Sequence, residues 1–299
     1  MNRETWLEER KRGLGGSDAA AALGLSKWKT PYQLYLEKRG ESPDLPQTDP
    51  MRWGQLLEPL VIQRYADETG RAVVRDPFKL IWHPTVPFMF VSPDAIEPGQ
   101  RLVEAKTART REGWGEAGTD EIPQDYIIQV QHALMVTALP VASVPALFGG
   151  QEFAIYEVPA NRELQEMIAD GEADFWRRVE AGDPPDPATA ADVAQRYGRR
   201  SLAQGIQATE EIEQALQELL GCRAAIEEIE GRREQLEVRI KAFMGENEAL
   251  LGGRTTLATW KMDAHGRVTV DAKALAKEMP DVYARYARAS SPSRRFLLK

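Results

Sequence analysis

The run Gly182-Asp183-Pro184-Pro185-Asp186-Pro187 constrains this chain more than any other feature, because neither a helix nor a strand interior tolerates so dense a cluster of prolines. It divides the 299 residues into a mixed domain over 1–185 and an extension over 186–299. Just before it, Asn161 to Ala181 reads as an amphipathic helix carrying Leu164, Ile168, Phe175, Trp176 and Val179. Beyond it, roughly Leu202 to Met244 reads as one long helix. Ile212, Leu216 and Leu219 step at four and three, and Ile229, Leu236, Ile240 and Phe243 keep the heptad sense with Arg233 at one seam position. The phase slips around Ile226–Ile229, a stammer in heptad terms. Two readings stand: an antiparallel or intermolecular helix pair, or a plain amphipathic helix lying on the core. Thr255–Met262 and Arg267–Val270 then read as a β-hairpin, Ala272 to Glu278 as a short helix, and Arg294 to Lys299 as a basic ending.

Within the first domain, Pro87 to Val91 is an apolar run, Glu97-Pro98-Gly99-Gln100 supplies turn chemistry, and Leu102-Val103-Glu104-Ala105-Lys106 resumes an extended pattern. Side chains two apart on a strand share a face, so Glu104 and Lys106 point one way while Val103 and Ala105 face the other layer. If these strands pair, Asp94 comes alongside Glu104. Two carboxylates that close repel, and a hard divalent cation relieves the repulsion. A lysine beside such a cation can orient or deprotonate an attacking water. The bland reading of the same residues is a solvent-edged hairpin with a salt bridge.

Composition narrows the chemistry. Cys222 is the only cysteine, which excludes intramolecular disulfides, cysteine zinc clusters and iron–sulfur clusters. His83, His132 and His265 are far apart and match no zinc-ligand spacing, so a catalytic metal would be held by oxygen, favouring Mg²⁺ or Mn²⁺. A net charge of −8 argues against coating nucleic acid over the whole surface but allows a local basic groove. No apolar run approaches the roughly 20 residues that span a bilayer, and no signal-peptide pattern stands at the start, which makes the cytoplasm the default.

Four further segments carry potential chemistry. Arg10-Lys11-Arg12-Gly13-Leu14-Gly15-Gly16-Ser17-Asp18 runs into an alanine-rich helix that Ser17 would cap. Arginines, a serine hydroxyl and a helix N-terminus make a phosphate site, whereas a plain capped helix is the bland alternative. In Trp53 to Tyr65, Leu57, Leu60, Val61 and Tyr65 mark a buried stripe. Glu58 sits beside it near the helix start, either as a third acidic ligand or as a favourable charge on the helix dipole. Ser92, two residues before Asp94, is either a phosphate donor or an ordinary strand-edge serine. Asp125 to Leu134 reads as a helix burying Tyr126, Val130, Ala133 and Leu134, with Gln129 projecting elsewhere, toward a phosphate or simply to solvent.

The Asp94…Glu104-x-Lys106 spacing resembles the D…ExK core of the PD-(D/E)xK nuclease superfamily. In order, Arg/Gly-Gly-Ser, Gly54-x-x-x-Glu58, Ser92-Pro93-Asp94-Ala95, Glu104-Ala105-Lys106 and Gln129-Val130-Gln131 resemble the YqaJ-type viral recombinase family, related to the exonuclease of bacteriophage lambda. The resemblance covers roughly Trp6 to Trp176. It implies an α/β (α+β) fold: a mixed central sheet flanked by helices, to which this chain adds its long helix and hairpin. It also implies cleavage of DNA with two Mg²⁺ ions. By motif, Asp94, Glu104 and the Ala105 carbonyl would be metal ligands, and Glu58 would hold or assist the second metal. Lys106 would position or activate the water, and Gln129 would stand at the site's edge. Ser17, Ser92 and Arg10, with Arg12 as an alternative to Arg10, would bind a 5′-phosphate. The shorter phage enzymes lack the region after Pro187, so the resemblance carries no trimeric ring over to this chain.

The function so implied is an exonuclease that digests linear duplex DNA 5′ to 3′ and leaves a 3′ single strand for an annealing protein, in a bacterial cell hosting a phage or prophage. A homo-oligomer is expected from the heptads. An endonuclease on the same core and a non-catalytic DNA-binding or assembly protein are the rival readings.

Overall fold

The computed structural model describes residues 2–42, 48–199, 201–202, 204–263, 266, 268–288 and 294–298. His265, Arg267 and Lys299 lie outside the described residues. Two compact units result, Met1–Arg199 and Arg200–Lys299. The first runs past the proline cluster because the helix after it belongs to this unit: Asp192 is buried, and Arg196 donates to the Pro185 carbonyl (3.0 Å) and lies over the Tyr32 ring.

In chain order the first unit contains α1 (Arg3–Arg10), α2 (Gly16–Ala22), α3 (Pro31–Lys38), α4 (Asp49–Thr69), β1 (Ile81–Trp82), β2 (Phe90–Val91), β3 (Ala95–Glu97), β4 (Arg101–Val103), β5 (Lys106–Ala108), α5 (Gln124–Thr137), β6 (Val141–Phe148), β7 (Glu152–Pro159), α6 (Arg162–Ala181) and α7 (Ala190–Tyr197). The central strand is β6, an apolar run buried over most of its length, as a strand covered on both faces should be. It pairs antiparallel with β7 across a turn whose Gly149 and Gly150 take φ of 58° and 75°. On its other side β4 and β5 run parallel to it in one register, Leu102 opposite Ala142 and Lys106 opposite Ala146. They are thus one line of chain interrupted at Glu104–Ala105, and β3 pairs antiparallel with β4. This is the mixed sheet flanked by helices that the resemblance implies.

The interruption has a cause in β6. Glu104 N–H donates to the Ser143 carbonyl (3.0 Å), so the next bond of a parallel ladder would come from residue 145. Residue 145 is proline and has no N–H to give. The ladder opens there.

Leu102, Val130, Leu134, Ala142, Val144 and Tyr156 form the main core between sheet and α5. Asn161 caps α6 by accepting from Leu164 N–H, and Gly182 ends it at φ 70°, matching the expected helix. The segment around Glu58 differs from expectation. α4 starts at Asp49, so Pro59 lies well inside it, and its buried residues are Val61, Ile62 and Tyr65, whereas Leu60 is exposed. Tyr65 donates to Ser143 Oγ (2.9 Å), which ties α4 to β6 one heptad beyond Glu58.

The second unit contains α8 (Glu210–Met244), β8 (Ala249–Gly252), β9 (Thr255–Thr259), α9 (Ala272–Glu278) and α10 (Pro280–Tyr286). α8 starts later than expected because Thr209 caps it, accepting from Ile212 N–H. The hairpin is also relocated: β9 pairs backwards with β8 rather than forwards with Val268–Val270. Gly252 pairs with Thr255 at the end of the ladder, and Gly253, at φ 64°, with Arg254 makes the two-residue turn. No helix among the described residues is long and apolar enough to cross a membrane.

Candidate active site

Four helices, α1, α2, α4 and α5, and the opened sheet converge on one cleft of about 450 Å³. Its first side is the turn into α2. Leu14 N–H donates to the Phe88 carbonyl and Phe90 N–H donates back to the Leu14 carbonyl, pinning the turn against β2. Glycine is required for that approach, since a Cβ on Gly13 would sit 2.3 Å from the Phe88 carbonyl oxygen and one on Gly16 2.9 Å from that of Gln129. Ser17 is not the cap. Gly15 occupies that position, and Asp18 accepts from Gly15 N–H at 3.1 Å. Ser17 Oγ is instead held by Arg10 Nη2 at 2.9 Å. Arg10 stacks over the Trp6 ring at 4.5 Å, and Trp6 Nε1 donates to Ser92 Oγ at 3.2 Å. Arg10, Ser17 and Ser92 therefore line one wall together. Arg12 does not join them: it pairs with Glu9 at the surface.

A buried ion pair supports this wall. Lys38 Nζ donates to Asp18 Oδ2 (2.7 Å) and to the Arg10 carbonyl (3.0 Å), with both charged side chains almost wholly buried. Burial alone would raise the Asp18 carboxyl; the charges of Lys38, Arg10 and Lys29 outweigh it and hold that carboxyl well below the usual range.

The acidic side is built from the hairpin. Ala95 pairs with Val103, so Asp94 and Glu104 fall side by side as the spacing required. Ala105 N–H, which points to the β3 side just beyond the end of the β3–β4 ladder, donates to Asp94 Oδ2 at 2.8 Å. Lys106 Nζ donates to Glu104 Oε1 (2.8 Å) and to Gln129 Oε1 (3.0 Å), and Gln129 Nε2 donates to the same Glu104 oxygen. Lys106 also lies 4.7 Å over the Tyr126 ring. Val103 and Ala105 face the apolar cluster under α4, as the alternation predicts. Burial and the adjacent Glu104 together push Asp94 well above the carboxylate range. Burial would lower Lys106, but Glu104 and Asp94 outweigh it, and the ammonium is held above its usual value.

Glu58 faces the same cleft, ion-paired with Arg75 at 2.7 Å. Arg75 gave no signal in the sequence. A bridge between Val74 and Ile96 carries it to the sheet edge, and no periodicity announces a single bridge. Trp6, Gln55 and Phe78 also line the cleft without having been foreseen.

The donors suit a hard divalent cation. Asp94 and Glu104 offer carboxylate oxygens, Glu104 buried and Asp94 half-buried, and their crowding leaves a demand for positive charge that Lys106 alone only partly meets. Glu58 would complete a third ligand only by leaving Arg75. Among the described residues no group of three histidine, cysteine or acidic side chains is already drawn together.

Comparison with known proteins agrees with the motif order. Residues 5–140 match the YqaJ-like viral recombinase domain. The chain is 34% identical to the uncharacterized protein YqaJ of Bacillus subtilis (strain 168) over 310 aligned positions, covering all of this chain and 95% of that protein. Similar solved structures include an alkaline exonuclease from Laribacter hongkongensis (TM-score 0.49, 20% identity, 60% of this chain and 94% of that one). A phage-related exonuclease from Haemophilus somnus 129PT is another (TM-score 0.45, 10% identity, 56% and 94%). The chain belongs to the YqaJ-like viral recombinase family.

Proposed function

We propose that this protein is a metal-dependent deoxyribonuclease that digests linear duplex DNA from its ends, 5′ to 3′, leaving 3′ single strands for an annealing partner in phage-type recombination. One observation carries the reading: Glu104 and Gln129, which together hold the Lys106 ammonium, line the same cleft as the Arg10–Ser17 pair. Asp94, Glu104 and the Ala105 carbonyl would hold a first Mg²⁺ or Mn²⁺ ion, and Glu58 would help hold a second. A bound divalent cation supplies charge neutralisation at the phosphate and lowers the pKa of water.

The remaining work falls to the chain's own groups. Arg10, Ser17 and Ser92 offer a guanidinium and two hydroxyls to a terminal 5′-phosphate and so set how far the strand enters. The Lys106 ammonium, anchored by Glu104 and Gln129, orients the attacking water and offsets negative charge growing on the phosphate oxygens. Arg75, released from Glu58, becomes a further cation for the backbone of the bound strand. A net charge of −8 is no obstacle, since Arg3, Arg10 and Arg75 place three guanidiniums in this one cleft, where the metal ions would offset the carboxylates of Glu58, Asp94 and Glu104.

The test uses end-labelled linear and circular duplexes with Mg²⁺, with product lengths followed over time. Glu104→Gln and Lys106→Ala are each expected to lose at least about 100-fold in rate while keeping wild-type circular dichroism. Mg²⁺-dependent activity retained by both variants sinks the assignment. A 5′-phosphorylated duplex is expected to be digested faster than a 5′-hydroxyl duplex, with closed circles intact; efficient cutting of circles would replace this reading by an endonuclease. Absence of metal-stimulated cleavage on every DNA form would leave a binding or assembly protein.

A further inference from the structure

α8, the longest helix among the described residues, leaves nearly all of its large apolar side chains uncovered, Met244 at its end excepted. Ile212, Leu219, Ile226, Arg233 and Ile240 recur every seven residues, and so do Ala215, Cys222, Ile229, Leu236 and Phe243, three places behind them. These are the a and d seams of an unbroken heptad. The stammer expected at Ile226–Ile229 vanishes once the small residues Ala215 and Cys222 are placed in the seam instead of Leu216. All the large apolar side chains on the two seams are exposed, from 38% for Leu219 to 81% for Phe243.

We propose that this seam is an antiparallel coiled-coil interface and that its occupant is α8 of a second copy of the chain. Charge sets the direction first. Residues 210–230 carry seven glutamates against one arginine, while residues 231–244 carry four cations against two glutamates. A parallel pair would stack the acidic halves on each other; an antiparallel pair lays acidic on basic.

Side-chain size sets the register. With the two-fold axis between Ile226 and Ile229, Ile226 meets the partner's Ile229, Leu219 the partner's Leu236 and Ile212 the partner's Phe243. The small residues then fall opposite large ones: Ala215 beside the partner's Ile240, and Cys222 beside the partner's Arg233. That pairing matters most, because a parallel pair would press Arg233 against the partner's Arg233 inside the seam. Cys222 leaves room for the guanidinium stem to reach past the interface to solvent. The flanking positions agree, with Glu218 facing the partner's Arg239 and Arg232, and Arg223 facing the partner's Glu230 and Glu237. This inference is independent of the proposed nuclease activity.

The test is the mass of the full chain by light scattering, combined with cysteine crosslinking. Ile226→Asp with Ile229→Asp is expected to halve the mass, whatever else the protein assembles through, with helical circular dichroism retained. Cys222 is the only cysteine. In the antiparallel pair it lies eleven residues along the axis from the partner's Cys222, roughly 16 Å, too far for a disulfide. Mild oxidation should therefore leave wild type uncrosslinked, while Arg233→Cys should yield a covalent dimer whose peptides join positions 222 and 233. A monomeric wild type overturns the proposal and assigns the face to a different protein. A mass unchanged by the double aspartate variant overturns it, and so does a Cys222–Cys222 disulfide in wild type.

Discussion

The two units differ in whether charge is taken into the interior. Beside its surface pairs the first holds internal ones: Asp18 with Lys38, His132 with Glu172 and Glu104 with Lys106 are all largely or wholly removed from water. In the second, Arg233 and Lys241 meet Glu237 at the surface, and Met244 is the one buried residue among those described. Internal pairs are costly to desolvate and are held in place by a core; they mark where geometry is fixed. Among its described residues the second unit has no such core, and most of its large apolar side chains are exposed, on α8, on the hairpin and beyond it.

The largest test of that contrast is Lys38→Met. Leaving the Asp18 charge buried without its partner is expected to destabilise the first unit by about 3–5 kcal/mol in urea denaturation. The matching change Lys241→Met, on an exposed pair, should stay within about 0.5 kcal/mol. Equal costs would erase the distinction. Next in size, Leu102→Ala should cost about 2–5 kcal/mol through the cavity left in the main core, whereas Ile206→Ala, at a residue 97% exposed, should be neutral to about 0.5 kcal/mol.

The internal pairs also predict a pH window. Asp18 is held below its usual value, so its contribution is present above the unfolded pKa of about 3.9 and is lost as pH falls from there toward the folded value. His132 behaves in the opposite sense. Burial would lower it, but Glu172, assisted by the Phe90 carbonyl, raises it above the usual histidine value. Its contribution is complete below the unfolded value of about 6.5 and is lost as pH rises through the folded one. Thermal unfolding of the first unit should thus be most favourable to the native state between about pH 4 and pH 6.5. Glu172→Gln should flatten the alkaline side alone. A profile unchanged by it would remove His132 from the account.

Where the sequence could be read, the reason was local periodicity. Alternation alone placed Glu104 and Lys106 on one face, and turn chemistry brought Asp94 to Glu104. Asn161 and Gly182 bounded α6 because caps are encoded by single residues. The failures were long-range or ambiguous. Nothing near Arg75 foretells Glu58, which is seventeen positions away in sequence. Glu58 was expected near a helix start, yet the helix already starts at Asp49-Pro50 and runs on through Pro59 to the buried Tyr65. Gly253 at the turn was a hairpin signal, but Ala249-Leu250-Leu251-Gly252 before it is too short to declare itself a strand.

Pro145 ends as the least expected residue, because a proline in a run like Val141–Phe148 argues against a central strand. Its consequence is a trade-off between rigidity and turnover. Pro145→Ala would return an N–H able to close the ladder onto Glu104, a gain of about 0.5–1.5 kcal/mol. It would also free the unfolded chain, a loss of about 0.4–1 kcal/mol. Stability should hardly move, while the zipped strand would draw the Glu104 backbone toward β6 and slow DNA cleavage. A variant as stable as wild type but slower would show that this proline is kept for what it prevents.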